Sequence, residues 1–278
     1  MRFISYLHND EPGWGAVNGR DLVDLTGHAP TLQAAISNDT LPVSLDTVPA
    51  QKIVALDEVV YLPPIPEPRR ILCIGQNYVA HRAEMGGATT AHPLIFTRYP
   101  SSISGHGQDL VKPRESDQYD FEGELAVIIG KTGRRIHPDQ ALEHIAGYSC
   151  FMDGTARDFQ VHTTQYIPGK NFDASGSCGP WMVPATAMPD PNAGYRLETR
   201  LNGNTVQATT TDLMIFSVPV LLAYLSTFTT LEPGDVIATG TPGGVGYKRK
   251  PQLFMHPGDR LEVELEGIGT LVNRIKGD

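Results

Sequence analysis

The chain has 278 residues, of which 28 are glycine and 22 are proline, and its formal net charge is −9 at pH 7. This length allows one large domain or a catalytic domain with a small extra one, and the many turn-forming residues favour short strands over a helical bundle. The negative charge and the lack of a lysine- or arginine-rich run argue against binding to nucleic acid or to an anionic membrane surface.

The sequence also lacks the features of a membrane or exported protein. The longest apolar stretches, such as residues 218–225, are far too short to span a bilayer, and the first eight residues turn polar before the core of a signal peptide can develop. The cysteines, Cys73, Cys150 and Cys178, are widely spaced and form no Cys-x-x-Cys pair, so we expect free thiols. These features predict a cytoplasmic protein.

The N-terminal region is predicted to be a small β-containing domain. Residues 3–7, 15–17 and 21–25 are short alternating segments, which are typical of strands. A proline-rich stretch at 62–68 interrupts this pattern, because clustered prolines supply few backbone donors and favour extended linkers. We therefore expect one domain over residues 1–65 and a second, catalytic domain over residues 66–278.

The second region is predicted to be a β-rich α+β domain with short helices. Buried strands are expected over 70–75, 121–129 and 235–239, and Asn202-Gly203 predicts a tight hairpin between strands 195–201 and 205–207. A helix is expected over 77–85, ended by Gly86-Gly87, and further helices over 138–145 and 217–225. The alternation over 261–266 predicts a strand with one solvated face.

Two glutamates occur at the start of one predicted buried strand. Glu122 and Glu124 are two residues apart, so their carboxylates would project from one face, roughly 7 Å apart. The same spacing recurs in the strand that we expect to be solvated, at Glu262, Glu264 and Glu266. Carboxylates at the mouth of a buried strand, however, need a partner or an ion. Asp153 follows another predicted strand and could complete a site for Mg²⁺ or Mn²⁺, the alternative being an ordinary turn or capping aspartate.

Six short motifs occur in an order that resembles the fumarylacetoacetate hydrolase superfamily. They are Asn77-Tyr78-x-x-His81-x-x-Glu84, Asp120-Phe121-Glu122-Gly123-Glu124-Leu125, Asp153-x-Thr155-Ala156-Arg157-Asp158-x-Gln160, Gly169-Lys170-x-x-Asp173, Gly179-Pro180-Trp181 and Thr239-Gly240-Thr241-Pro242-x-Gly244-Val245-Gly246. The resemblance runs from about residue 70 to the C-terminus and is closest to the acylpyruvate hydrolase and oxaloacetate decarboxylase branch. It implies a mixed β-roll with short helices, usually in a homodimer.

The resemblance also implies roles for nine residues. It places metal ligands at Glu122, Glu124 and Asp153, and Lys170 matches the lysine of the family. It also places a water-activating pair at His81 and Glu84, and substrate contacts at Arg157, Gln160 and Thr241. Two stretches depart from the pattern of many relatives. They are Met152-Asp153-Gly154-Thr155 and residues 171–178. Exact substrate specificity therefore does not transfer.

The resemblance implies a small 2-oxo or 1,3-dioxo carboxylic acid as substrate, and the residues suggest a mechanism. His81 and Glu84 are three apart on a predicted helix, so the glutamate can orient the imidazole as a general base for water. We expect Mg²⁺ or Mn²⁺ to polarise the 2-oxo group and stabilise the enolate, and Lys170 to supply a fixed positive charge. The hypothesis is hydrolysis of a C–C bond in an acylpyruvate, giving pyruvate and a carboxylic acid.

Other functions remain open at this point. The same chemistry serves decarboxylation of oxaloacetate and isomerisation of hydroxymuconate-type acids in aromatic catabolism, and a non-catalytic carboxylate-binding protein is a further alternative. A phosphate-binding loop over 239–246 is disfavoured because Gly-Lys-Ser/Thr is missing, and a serine hydrolase because the chain has no Gly-x-Ser-x-Gly elbow. The presence of both His81 and Glu84 favours hydrolysis.

Overall fold

A computed structural model of the protein describes residues 1–48, 52–88 and 90–278. The described residues form nineteen strands and five short α-helices. The strands are β1 (Phe3–His8), β2 (Glu11–Asn18), β3 (Asp21–Asp24), β4 (Ile53–Ala55), β5 (Val60–Tyr61), β6 (Ile71–Gly75), β7 (Leu94–Arg98), β8 (Ile103–Ser104), β9 (Asp109–Lys112), β10 (Tyr119–Asp120), β11 (Gly123–Ile129), β12 (Ile145–Met152), β13 (Thr155–Ala156), β14 (Gly176–Pro184), β15 (Arg196–Leu201), β16 (Asn204–Thr210), β17 (Val236–Ala238), β18 (Arg260–Leu265) and β19 (Gly269–Gly277).

The helices are all short. The α-helices are α1 (Leu32–Ser37), α2 (Val79–Glu84), α3 (Arg157–Gln160), α4 (Ile167–Lys170) and α5 (Val218–Phe228). Single turns or short runs of 3₁₀ helix lie at Leu45–Thr47, Leu56–Glu58, Pro100–Ser102, Pro138–His144, Ala185–Ala187, Thr211–Leu213 and Gly246–Lys248. No helix among the described residues is long and apolar enough to cross a membrane.

Two sheets dominate the described part of the chain. The larger has twelve strands, with the path β4-β3-β2-β1-β14-β12-β11-β17-β6-β7, to which β5 adds beside β1 and β8 beside β14. The smaller has five strands in the order β16-β15-β18-β19-β9, and β10 pairs with β13 alone. Most neighbours are antiparallel, but β17 runs parallel to β6, β19 to β9 and β8 to β14.

The N-terminal strands are joined to the larger sheet. β1 to β4 form an antiparallel meander, and β1 pairs with β14 at Phe3 and Met182. The predicted β-containing N-terminal region is therefore present and continues the sheet of the second region. The division of the chain near residue 65 stays a prediction.

The central strand β11 is buried on both faces, as its apolar run predicts. Alternate side chains of a strand point to opposite faces. Leu125, Val127 and Ile129 belong to the apolar core shared with the five-stranded sheet and α5. Ala126 and Ile128 pack into a second core with Trp14 and the residues of α1. A strand enclosed in this way has no solvated face on which to place a free charge.

Four strand ends meet at one edge of the larger sheet. β11 begins opposite the end of β12, where Gly123 pairs with Met152. β17 runs antiparallel to β11 and ends beside its first half, where Ala238 pairs with Ala126. β6 lies parallel to β17, so both strands end at this same edge. The segments that follow β6, β12 and β17 and the one that precedes β11 are therefore brought together.

Most predicted elements are confirmed, and the differences have physical reasons. The segment 138–145 forms a 3₁₀ helix over Pro138–His144 rather than an α-helix. The strand predicted over 121–129 begins at Gly123, so Glu122 precedes it instead of lying within it. The solvated face predicted for 261–266 is wrong at Glu262, which is 9% exposed because Arg200 binds its carboxylate at 2.5 Å. The three cysteines are free and buried, as predicted.

The hairpin between β15 and β16 depends on Gly203. Asn202 and Gly203 have φ values of +52° and +78°, as a tight two-residue hairpin turn requires. A Cβ at Gly203 would meet no heavy atom within 4 Å, so Gly203→Ala introduces backbone strain alone. We expect a loss of about 1 kcal/mol in the free energy of unfolding, measured with urea.

Gly277→Ala is the matched control. The backbone of Gly277 is not left-handed, and a Cβ added there would lie 3.5 Å from its nearest heavy atom. This control should change stability by less than about 0.5 kcal/mol. Equal losses in the two variants would contradict the assignment of strain to the turn.

Candidate active site

Three buried carboxylates meet at the edge where the four strands end. Glu122 precedes β11, Glu124 is the second residue of β11, and Asp153 follows β12 directly. The backbone N–H of Asp153 donates to the carbonyl of Glu122 at 2.9 Å, which extends the β11–β12 ladder by one bond. One potential ligand oxygen from each carboxylate lies within 4.8 Å of the others. All three side chains are buried.

Three cations lie against these carboxylates. Lys170, at the end of α4, places its Nζ 2.7 Å from Oε2 of Glu122 and 2.6 Å from Oδ2 of Asp153. Arg157, the first residue of α3, places Nη2 2.7 Å from Oε1 of Glu122. Arg98, the last residue of β7, donates from Nη1 to Oδ1 of Asp153 at 2.7 Å. All three cations are buried, and they compensate two of the three carboxylates.

A fourth carboxylate, Asp120, fixes Arg157 in place. Its Oδ2 accepts hydrogen bonds from Nε of Arg157 at 2.8 Å and from the backbone N–H of Tyr247. Its Oδ1 accepts from the backbone N–H groups of Phe121 and Gly246. Asp120 thus ties the start of α3 to the loop that follows β17.

Glu124 differs from its neighbours because it has no cationic partner among the described residues. Its Oε2 accepts one hydrogen bond, from the backbone N–H of Gly240 at 2.8 Å. Gly240 has a φ of +105°, and a Cβ there would lie 2.6 Å from Cβ of Asn77, so only glycine lets the backbone approach in this way. Burial, together with the nearby charges of Asp153 and Glu122, holds the pKa of Glu124 well above its usual range.

The pKa of Glu122 is shifted in the opposite direction. Burial opposes its charge, but Lys170 and Arg157 outweigh this effect and lower its pKa to about 2. Burial also opposes the charge of Lys170, but the carboxylates of Asp153 and Glu122 outweigh burial and raise the pKa of its ammonium group, so the lysine stays charged. Two glutamates only two residues apart therefore have opposite electrostatic surroundings.

The donor set fits a divalent cation. Counting Asp120, four buried carboxylates face three buried cations, which leaves the charge of Glu124 uncompensated. A buried and uncompensated carboxylate is costly unless an ion or a proton neutralises it. The three candidate ligands all offer oxygen, which is the donor that Mg²⁺ and Mn²⁺ prefer.

His81 and Glu84 form the contact that their spacing predicts. Both lie on α2, and Nδ1 of His81 is 2.7 Å from Oε1 of Glu84. The other carboxylate oxygen of Glu84 accepts from the backbone N–H of Gly244 at 2.9 Å. Burial opposes the charge of Glu84, but the hydrogen bonds from His81 and Gly244 outweigh burial and lower its pKa. Glu84 is therefore an anion that holds the imidazole, and Nε2 of His81 is the ring nitrogen without this partner.

A cavity of about 80 Å³ lies between this pair and the carboxylates. One water needs about 10–15 Å³ of cavity volume, so this cavity has room for only a few waters. It can therefore hold a small acid but not an extended molecule. The residues that line it are Ile74, Gly75, Gln76, His81, Met85, Phe96, Glu122, Glu124, Arg157, Gln160, Val161, Tyr166, Lys170 and Thr241.

The nine residues singled out from the sequence lie together. Seven of them line the cavity, while Glu84 lies behind His81, and Asp153 lies behind Lys170. Gln160 accepts from Nη1 of Arg157 through its Oε1, which leaves its NH₂ group for a ligand. Thr241 already donates to the carbonyl of Gly123. The roles of these nine residues stay predictions.

Sequence reasoning missed several residues that hold the site together. Asp120 stood within a quoted motif but was given no role, and Arg98 ends a strand with no motif around it. Asn77 donates to the carbonyl of Thr239 and so ties the start of α2 to the end of β17. Gln207 accepts from the backbone N–H of Gly123 and donates to Thr241. These contacts join residues that are distant in sequence, so local patterns do not reveal them.

Comparisons with known proteins agree with this architecture. The model of the family described as fumarylacetoacetate (FAA) hydrolase C-terminal matches residues 70–276. The chain is 44% identical over 226 residues to the oxaloacetate tautomerase YisK of Bacillus subtilis. The aligned region covers 80% of this chain and 74% of that protein.

Solved structures show the same fold. The fumarylacetoacetate hydrolase from the psychrophilic Exiguobacterium antarcticum has 38% identity, a TM-score of 0.87 and full coverage of both chains. A maleylpyruvate hydrolase from Sphingobium sp. SYK-6, solved in complex with manganese(II) ion and pyruvate, has 26% identity and a TM-score of 0.83, covering 100% of this chain and 99% of that one. The predicted mixed, β-rich fold with short helices is confirmed.

The opposite surroundings of the two glutamates predict opposite effects of removing their charge. In metal-free protein, Glu122→Gln leaves Lys170 and Arg157 with less compensation, and we expect a loss of about 3–5 kcal/mol in the free energy of unfolding. Glu124→Gln removes an uncompensated charge, so it should leave stability unchanged or increase it. Because the folded-state pKa of Glu124 is raised, its ionisation at neutral pH opposes folding.

Urea unfolding at pH 7 with a chelator present measures both variants, and the same experiment with Mn²⁺ is the second readout. Wild type should be stabilised by Mn²⁺, whereas Glu124→Gln should not. Equal destabilisation by the two substitutions would contradict the charge distribution described above.

Proposed function

The chain belongs to the fumarylacetoacetate hydrolase family, and from this premise we propose that it interconverts the keto and enol forms of oxaloacetate or a closely similar 2-oxo acid. Enzymes of this family act on small carboxylic acids, and the chain is 44% identical to an oxaloacetate tautomerase. The observation that carries the proposal is the His81–Glu84 pair beside a cavity sized for a small acid.

Tautomerisation requires a group that removes a proton from carbon and can return it. With Nδ1 engaged by Glu84, His81 offers Nε2 as the atom that takes a proton from the carbon next to the 2-oxo group. Glu84 stabilises the imidazolium that results, because it is an anion at 2.7 Å. Delivery of this proton from Nε2 to the 2-oxo oxygen gives the enol, and its return to the carbon regenerates the keto form, so no water is consumed.

The buried charged residues support the second requirement of the reaction, which is to stabilise the negative charge that develops on the substrate oxygen. Glu122, Glu124 and Asp153 would hold a Mg²⁺ or Mn²⁺ ion. When bound, such an ion supplies Lewis-acid polarisation of the 2-oxo group. Lys170 is a fixed cation in the cavity wall and favours negative charge developing on the substrate oxygen. The NH₂ group of Gln160 is a donor that could orient a substrate carboxylate.

Hydrolysis of a C–C bond in an acylpyruvate is the second candidate. The same Nε2 of His81 could take its proton from a water, which would then attack a distal carbonyl. The similarity to a maleylpyruvate hydrolase favours this reaction. The two candidates differ in the atom that loses the proton to His81, and substrate assays separate them.

A substrate panel tests the proposed reaction. Purified protein with Mg²⁺ or Mn²⁺ should accelerate the loss of enol absorbance of oxaloacetate more than it cleaves an acylpyruvate or isomerises a hydroxymuconate-type acid. Removal of the metal with a chelator should lower the rate more than about a hundredfold, since Lewis-acid catalysis contributes several kcal/mol, and added Mn²⁺ should restore it. Faster cleavage of an acylpyruvate would make hydrolysis the main activity.

The proposed base is tested by His81→Ala. We expect kcat for oxaloacetate to fall about 10²–10⁴-fold, because general acid–base catalysis contributes this much, while Mn²⁺ binding stays near that of wild type. His92→Ala is the control, since His92 is exposed and is not among the cavity-lining residues. Unchanged kcat in His81→Ala would refute the role of the imidazole.

A further inference from the structure

The cavity beside the carboxylates has a buried inner end and a partly exposed outer end. Lys170, Glu124 and Thr241 lie at the inner end, and none of them is more than 2% exposed. The outer end is formed by the more exposed lining residues, which are Gly75, Gln76, Met85, Val161 and Tyr166. A small acid held at the inner end therefore presents its other end to these five residues.

The outer end differs from the inner end in charge. Lys170 and Arg157 are the lysine and arginine of the cavity wall, and each is 1% exposed and bound to carboxylates of the site. Among the described residues of the outer end, none has a charged side chain. The polar side chains there are those of Gln76 and Tyr166. Any polar group of a substrate that reaches this end meets uncharged partners.

Both of these polar residues have a left-handed backbone. The φ value is +54° at Gln76 and +63° at Tyr166, in a region that Gly, Asn and Asp adopt far more readily than other residues. Among the remaining residue types of the described chain, only Arg135 and Ala174 share it. Such strain persists where the surrounding structure enforces it, and it concentrates at ligand-binding sites. The backbone therefore marks Gln76 and Tyr166 as ligand contacts.

The ring of Tyr166 is positioned by Phe96. The two rings meet edge to face with their centroids 5.9 Å apart, and Nζ of Lys170 lies 4.9 Å from the centroid of the same Phe96 ring. Tyr166 also directly precedes α4, the helix that ends at Lys170. The hydroxyl group of Tyr166 has no hydrogen-bond partner among the described residues. It is therefore available as a donor to a molecule in the cavity that Tyr166 lines.

We propose that Tyr166 determines specificity by donating its hydroxyl to the distal carboxylate of a short 2-oxo diacid whose other end is held at the inner end of the cavity. The inference rests on the proposed function and adds to it a residue that selects diacids over monoacids. A hydrogen bond to a carboxylate is roughly twice as strong as one between neutral groups, so an uncharged hydroxyl suffices for this selection. The amide of Gln76 is a second donor at the same end.

A purely structural role for Tyr166 gives a different result. If the residue only packed on Phe96, Tyr166→Phe would leave ligand binding unchanged, because phenylalanine keeps the ring. If the hydroxyl only shaped the inner end of the cavity, its loss would weaken the binding of monoacids and diacids by the same factor. Contact with a distal carboxylate changes the ratio between the two classes of acid.

The experiment is isothermal titration of the Mn²⁺-loaded protein with malate and with lactate, on wild type and Tyr166→Phe. These stable 2-hydroxy acids differ by one distal carboxylate and replace the reactive 2-oxo acids. We expect wild type to bind malate at least about tenfold more tightly than lactate. Tyr166→Phe should lose about tenfold or more in malate affinity, since a hydrogen bond to a charged group contributes this much. Its lactate affinity should equal that of wild type.

Tyr99→Phe is the matched control. Tyr99 is 52% exposed and is not among the cavity-lining residues, so its replacement should leave both affinities unchanged. An unchanged malate affinity in Tyr166→Phe, or an equal loss for both acids, would overturn the inference. Wild type that binds the two acids equally, or binds neither, would also overturn it. If the expected ratios are found in a protein that does not tautomerise oxaloacetate, the proposed function fails and the inference stands, which distinguishes the two failures.

Discussion

The uncompensated charge of Glu124 is the constraint on which the site depends. Its carboxylate is buried at the start of a strand that is enclosed on both faces, and a single backbone N–H binds it. The neighbouring carboxylates Glu122 and Asp153 have their own cations in Lys170, Arg157 and Arg98, so they add to the negative potential at Glu124 without supplying a proton or a partner. A divalent cation held by Glu122, Glu124 and Asp153 would resolve this imbalance, because it would neutralise Glu124.

The fold supplies this arrangement through strand direction. β6 and β17 are parallel and end at the edge where β11 begins and β12 ends, so four separate segments bring polar residues to one place. The loop after β17 binds both Glu124 and Glu84, and through them it connects the carboxylates with the helix that carries His81. The His81–Glu84 pair and the candidate metal ligands are thus fixed relative to one another by the backbone.

Many secondary-structure elements and most residues of the candidate site could be predicted from the sequence, because each was indicated by a local pattern. The apolar run after Glu124, the two-residue spacing of the glutamates and the three-residue spacing of His81 and Glu84 each depend on one strand or one helix. The β-roll came from resemblance to a family, since no local pattern specifies which strands pair. Arg98 and Asp120 were missed because their partners are more than thirty residues away in the chain. The homodimer and the cytoplasmic location stay predictions.

The central claim is that Glu122, Glu124 and Asp153 together bind one divalent cation. A crystal structure of the protein soaked with Mn²⁺, with anomalous scattering recorded at the manganese edge, tests this most directly. The account predicts a single strong peak within bonding distance of all three side chains, on the cavity side of the triad. A peak elsewhere, or no peak while Lys170 keeps both of its carboxylate contacts, would contradict it.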